Sequence, residues 1–242
     1  MKKSPTKAET WRSVFWAILI AMTIRTVVFE PYSIPSGSMK PNFLVGDYLF
    51  VSKYHYGISN ASLPFDPPIM NGRLLELNKP ERGEVIVFKS SKNRGINYIK
   101  RLIGMPGDEI QVIEGLLYIN GKMVERSEAG TFTDTDGSIL KRYIETLPNG
   151  VSYYVLDEIS NHTLDNTQVF KVPEGHYFFM GDNRDNSLDS RTNGHPIGFV
   201  PYDKFIGRAE MIIFSNPESI IYPWRWVLDF NKDRFFVWVK SL

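Results

Sequence analysis

The sequence predicts a mainly β protein behind a single N-terminal apolar helix. Three observations carry this expectation. Runs rich in aromatic and β-branched residues recur from residue 47 onward, and such residues fit a pleated, half-buried surface. Gly-Asp, Pro-Gly-Asp and Asn-Gly pairs punctuate those runs, as turns require. Beyond residue 29, no long segment repeats its apolar residues with the 3.6-residue period of a helix. The chain has 242 residues, 43% of them hydrophobic, which suffices for a core in one or two domains.

The apolar segment comes first. Residues 1–10 read as a charged tail and residues 11–29 as a transmembrane anchor. The uninterrupted apolar part, residues 13–24, is short. Residues 26–29 bring it to the lower limit for spanning a bilayer. Arg25 is costly at a bilayer centre but can snorkel to the headgroups from near one end. A cleaved signal peptide competes with this reading, yet Val27, Val28 and Phe29 are bulky where a cleavage site needs small residues. A buried soluble helix is the other alternative. The uncleaved anchor is favoured. Lys2, Lys3, Lys7 and Arg12 precede its apolar part, so the N-terminus lies in the cytoplasm. Residues 30–242 then lie outside, in the periplasm if the cell is Gram-negative.

Strands follow. Residues 47–54, 84–88, 96–103 and 176–180 are aromatic and branched. Residues 110–124 read as a hairpin turning at Asn120-Gly121. Residues 55–79, with Pro64, Pro67 and Pro68, read as an exposed loop or long hairpin. Residues 125–173 are more polar, have fewer strong strands, and look like an insertion between two parts of one core. The expected division is a core of about 30–110 and 171–215, an inserted subdomain of about 111–170, and a C-terminal tail, 216–242. That tail is aromatic, with Trp224, Trp226, Phe235, Phe236 and Trp238. It is either a final strand closing the core or a contact with the membrane interface, where Trp and Arg are favoured.

Composition excludes several chemistries. A net charge of +1 leaves no electrostatic footprint for nucleic acid. The absence of cysteine excludes disulfides, thiolate catalysis and Cys-based zinc sites, and suits an oxidising space. The four histidines, His55, His162, His176 and His195, lack metal-type spacing, so no metal is expected.

Three segments remain. In Pro35-Ser36-Gly37-Ser38-Met39, two serines lie two residues apart, and in an extended strand both would face one cavity. The same pentapeptide also reads as an ordinary polar turn. Lys100 sits in an apolar strand pattern, as either an edge-strand charge or a desolvated amine. Desolvation lowers a lysine's pKa, and a neutral amine can serve a serine as general base. The segment Gly181-Asp182-Asn183-Arg184-Asp185-Asn186-Ser187 and its continuation to Arg191 suits either a solvated turn or a loop stitched by Arg–carboxylate bonds.

Taken together, these segments resemble bacterial type I signal peptidases, membrane-anchored serine peptidases that remove signal peptides from exported proteins. The resemblance runs through the anchor, the pentapeptide, Gly46-Asp47, residues 82–88, the lysine strand and the Gly-Asp-Asn-Arg segment, in family order. It implies a β-rich catalytic core with an inserted, more variable β subdomain. It implies Ser38 as nucleophile and Lys100 as general base, with the Ser36 hydroxyl and the Ser38 N–H as oxyanion hole. Ser187 would orient the lysine. Arg101, Asp182, Asp189 and Arg191 would form structural salt bridges, and Ile34, Pro35, Met39 and Tyr98 would line substrate pockets. It implies no cofactor. The implied partners are signal peptides of secretory preproteins, cut after small residues, and the lipid bilayer, with the chain single-pass in the bacterial inner membrane. Asn42-Phe43 and the longer stretch 192–197 depart from the common pattern.

Lys40 lies near Ser38 in sequence but has no evident desolvated setting, and the Ser-x-x-Lys helix signature of penicillin-binding proteins is absent. A Ser-His-Asp site through His195 is formally possible. Two rival functions stand beside the peptidase: a self-cleaving LexA-like Ser/Lys peptidase, and a non-catalytic membrane-tethered binding or assembly domain.

Overall fold

The computed structural model describes residues 7–27, 29–63, 66–90, 95–158, 162–192, 194, 197–216 and 231–239. Helix α1, Lys7–Val27, covers most of the expected anchor and begins before it. Among the described residues, no helix is long and apolar enough to cross a membrane. Charged residues at both ends of α1 confine its apolar part to the middle. The side chains of Trp11, Phe15, Trp16 and Ile18 all stand exposed.

The rest is mainly β, as the aromatic and branched runs predict. Strand β1 (Phe29–Ser33) lies antiparallel to β2 (Asp47–Ser52). β3 (Ile58–Ser59) and β4 (Arg73–Leu74) form a small ribbon within the proline-rich stretch. That stretch is less exposed than expected, since Tyr56 and Ala61 are buried in it. β5 (Val85–Lys89) pairs with β6 (Asn97–Gly104). β7 (Glu109–Ile113), β8 (Leu116–Ile119) and β9 (Lys122–Met123) follow as a meander. The Asn120-Gly121 turn is present, with φ of 54° and 73°. A second turn at Glu114-Gly115, with φ of 50° and 78°, carries no such sequence signature.

Next come β10 (Glu125–Thr133), β11 (Ile139–Thr146) and β12 (Ser152–Leu156), an antiparallel three-stranded sheet. Its strands are longer than the sequence suggests. β13 (Phe170–Lys171) pairs with β7, and β14 (His176–Met180) with β6. β15 (Val200–Pro201), the long β16 (Phe205–Ser215) and β17 (Val237–Trp238) complete the chain.

The main sheet runs β1-β2-β16-β5-β6-β14-β15, with β17 on β16. β6 is therefore a central strand, buried on both faces from Lys100 onward. Ile103, Phe178 and Met180 from this sheet share one apolar cluster with Ile110 of β7, Leu117 of β8, and Tyr153 and Val155 of β12. Of the tail, β17 closes on β16 at Met211 and Ile212, and Arg234 Nε donates to the buried Asp47 carboxylate at 2.9 Å. Residues 217–230, with Trp224 and Trp226, lie outside the described residues.

Candidate active site

Alternation along β6 places Tyr98, Lys100 and Leu102 on one face, opposite Phe88 and Ile86 of β5. These neighbours belong to an apolar cluster with Phe179 and Phe205. Lys100 is only 4% exposed. Burial there lowers its pKa from the ordinary 10.5 to about 8. The more distant carboxylates of Asp189 and Asp182 oppose the shift, and Arg191 adds to it. Lys100 Nζ donates to Ser38 Oγ at 2.5 Å. The lysine is thus a desolvated amine on a central strand.

Ser38 arrives by a turn rather than by the extended strand expected of its segment. Ser36 is extended, with φ −134° and ψ 155°, but Gly37–Met39 forms one turn of 3-10 helix. The turn still brings the two hydroxyls to 3.3 Å. Asn183 grips it from the facing loop: its N–H donates to the Ser38 carbonyl at 3.2 Å and its Nδ2 to the Gly37 carbonyl at 3.1 Å.

That loop continues from β14. Gly181 is required by convergence, since a Cβ there would lie 2.1 Å from Ser187 Oγ and 2.5 Å from the Ser38 carbonyl. Asp182 takes two bonds from Arg101, at 2.8 and 2.7 Å, and a third from Asn42 Nδ2 at 2.7 Å. Arg101 also lies 4.1 Å over the Tyr153 ring. Despite full burial, its pairing with Asp182 raises its pKa. Asp189 receives Arg191 through two bonds of 2.9 Å and the Gly181 N–H at 2.9 Å. Arg184 reaches back to Glu145 of β11 in a bidentate pair. Backbone bonds from Leu156 N to Asp182 O and from Arg184 N to Leu156 O bolt the loop to the edge of β12. Every cation here except Lys100 is bonded to a carboxylate.

Known proteins match this chain along most of its length. The family described as signal peptidase, peptidase S26, matches residues 7–214. The chain belongs to the signal peptidase family. Signal peptidase I of Rickettsia canadensis is 46% identical over 219 residues, covering 87% of this chain and 81% of that protein. Signal peptidase I of Rickettsia akari is 47% identical over the same shares. A solved signal peptidase I from Enterococcus faecalis is 27% identical and covers 55% of this chain and 98% of its own, with a TM-score of 0.32, too low to bear on the fold.

Within this signal peptidase, Ser38 contacts both Ser36 and Lys100, and the ion pairs Arg101–Asp182 and Arg191–Asp189 are formed in the adjoining strand and loop. Ser187 is brought close but not bonded. Against the upward push of burial, Arg191 chiefly holds the Asp189 carboxyl below its ordinary range, and the Ser187 hydroxyl adds to this, yet that hydroxyl is buried without a hydrogen bond of good geometry. Pro35 is exposed and Tyr98 half-buried. Ile34 and Met39, at 3% and 0% exposure, are packed into the core with Phe43 and Leu49 and present almost no surface to a peptide. Asn42, Asn183, Arg184 and Glu145 are site-building residues to which the sequence reading gave no individual role, Asn42 having stood out only as a departure from the common pattern. The Asn-Arg pair of the 181–187 segment was a signal for two of them; Glu145 carried none. His195 lies outside the described residues. His162, Asp165 and Asp185 bring ligand atoms within 4.8 Å of one another. Backbone N–H groups of His162, Leu164 and Glu158 already bond Asp165, His162 and Asp185 respectively.

Proposed function

We propose that this signal peptidase hydrolyses its substrates through a Ser38–Lys100 dyad, cutting signal peptides of exported preproteins after small residues. The observation that carries this reading is the 2.5 Å contact between a buried amine and the Ser38 hydroxyl. When Lys100 is neutral, the direction of that bond reverses: the hydroxyl donates to the amine lone pair. Ser38 Oγ then attacks the substrate carbonyl as its proton passes to Nζ. The oxyanion that forms is stabilised by the Ser38 N–H and the Ser36 hydroxyl, each contributing about 3 kcal/mol. The charged Lys100 next protonates the leaving amine. Neutral once more, it takes a proton from the water that attacks the acyl-enzyme, and returns it to Ser38 Oγ as the ester bond breaks and the acid product leaves. Arg101–Asp182 and Arg191–Asp189 hold the strand and the loop in register, and Ser187 steadies the amine.

The same reading places the enzyme at the bacterial inner membrane, attached through α1, with the N-terminus cytoplasmic and the catalytic part periplasmic. The uncovered Trp11, Phe15, Trp16 and Ile18 favour this, as do the lysines at the start of the chain. Attachment would hold enzyme and membrane-bound substrate at high effective concentration.

The test is an acylating serine probe together with cleavage of a preprotein in detergent. The parent enzyme is expected to be labelled at Ser38 and to process the substrate. Ser38→Ala and Lys100→Met should retain the fold but neither label nor cleave. Substantial cleavage by either purified variant would sink the dyad.

A further inference from the structure

Lys40 lies two residues from Ser38, yet it plays no part in the dyad. Its ammonium donates to both carboxylate oxygens of Asp134, at 2.5 and 2.6 Å. The pair is largely shielded, with side chains 11% and 14% exposed. The partners are 94 residues apart in sequence. Asp134 stands at the tip of the β10–β11 hairpin, in a turn closed by bonds from Asp134 N to Ser138 O and from Gly137 N to Asp134 O. Most of β10 alternates between exposed and half-buried positions, so little apolar packing holds this long hairpin. Its root is fixed by the pairing of β11 with β12, and Lys40 fixes its tip.

The path of the Lys40 side chain is informative. It folds back over Gly37, whose Cβ, if present, would lie 3.2 Å from Lys40 Cε and 3.3 Å from Cδ. Gly37 separates the two serines that face each other at 3.3 Å. The hairpin tip therefore pulls, through Lys40, on the turn that presents Ser38. Asn183 holds the same turn by its carbonyls.

We propose that Lys40 is a positioning residue and that the Lys40–Asp134 pair latches the β10–β11 hairpin onto the nucleophile turn, so that the inserted sheet sets the aim of Ser38. The inference rests on the Ser38 reading above. With the latch open, the hydroxyl turn loses this restraint while Asn183 and the amine on β6 stay in place. Loss of alignment lowers turnover more than binding, and small misplacements have large effects on rate.

The experiment measures kcat and KM for Lys40→Met, Asp134→Asn and their double variant on a preprotein substrate, alongside Ser38→Ala. Each single variant should lose roughly tenfold in kcat with KM changed less than about twofold. The double variant should be no worse than either single one, because the two residues act as one contact. The swap Lys40→Asp with Asp134→Lys should recover part of the rate, whereas a general loss of packing would not be restored by it. Melting temperatures recorded in parallel should move little, as for an ion pair near the surface. If Ser38→Ala is inactive but Lys40→Met turns over like the parent, the latch is wrong and the dyad stands. Additive losses in the double variant would also overturn the latch. Activity retained by Ser38→Ala would instead remove the reading beneath it.

Discussion

Two lysines approach Ser38, one from the centre of the main sheet and one from its own turn. Lys40 is two residues away in sequence and Lys100 sixty-two. Proximity in sequence favours Lys40, but chemistry favours Lys100. Lys40 is locked to the Asp134 carboxylate at 2.5 Å. Lys100 bonds to a hydroxyl among Tyr98, Leu102, Ile86 and Phe88, and burial lowers its pKa to about 8. Arg101, next to Lys100 on β6, completes the contrast: equally buried, it is paired with Asp182 and stays charged. On the dyad reading proposed above, a buried cation becomes a base where the sheet withholds a carboxylate from it.

The hardest way to break this comparison is to remove the carboxylate from a buried cation that cannot lose its proton. Asp182→Asn leaves Arg101 charged and uncompensated, and takes one partner from Asn42. The expected loss is about 3–5 kcal/mol of stability, read from denaturant unfolding at pH 7. A variant as stable as the parent would mean that the pair holds nothing together.

How much of this was legible in the sequence depends on what each signal measures. β2, β5, β6 and β14 lie within a residue or two of their expected positions, because branched and aromatic runs bounded by turn pairs record burial directly. β10 and β11 were underestimated. A hairpin with solvent on much of its surface needs no apolar run, and its alternation is faint. The Glu114-Gly115 turn escaped because glutamate is not a turn marker, although here it adopts a positive φ. Ser36 and Ser38 were expected together through strand alternation. They meet through a 3-10 turn instead, so the contact was foreseen on the wrong geometry. The partners that build the site across 39 to 146 residues of sequence, such as Arg184–Glu145 and Asn183 on Gly37, leave no local trace.

A second prediction sharpens the contrast through pH. In the unfolded chain Lys100 titrates near the ordinary 10.5, and in the folded protein near 8. Below about 8 both states carry the proton, and the charged amine costs the folded state about 3 kcal/mol. Between about 8 and 10.5 the unfolded state binds more protons, so this group makes stability rise with pH. Above that window the penalty is gone. Lys100→Met should therefore be more stable than the parent at pH 7, with an advantage that fades as pH climbs toward 10. The parent's rate should rise through a midpoint near 8, where the free enzyme's amine becomes neutral. A rate limb near 10, or a Lys100→Met variant less stable than the parent at pH 7, would show that burial is not what sets this amine.

The smallest expected effect belongs to Ser187, which separates orientation from burial. Its hydroxyl is 5% exposed as part of the residue, close to Gly181, and makes no hydrogen bond of good geometry. Its one native interaction is the help it gives in keeping the buried Asp189 carboxylate charged, so Ser187→Ala should cost at most about 1 kcal/mol of stability. Its effect on rate can come only from the bond it forms with the Lys100 amine once substrate is bound. A neutral hydrogen bond contributes about 1 kcal/mol, which is about fivefold in rate. The pH midpoint of the rate should stay near that of the parent, because desolvation by Tyr98, Leu102 and their neighbours is unchanged. A fivefold loss with a fixed midpoint is the signature of an orienting group. A midpoint that moves sharply upward would mean that the hydroxyl, and not the apolar cluster, keeps Lys100 neutral, and the contrast between the two lysines would then rest on the wrong residue.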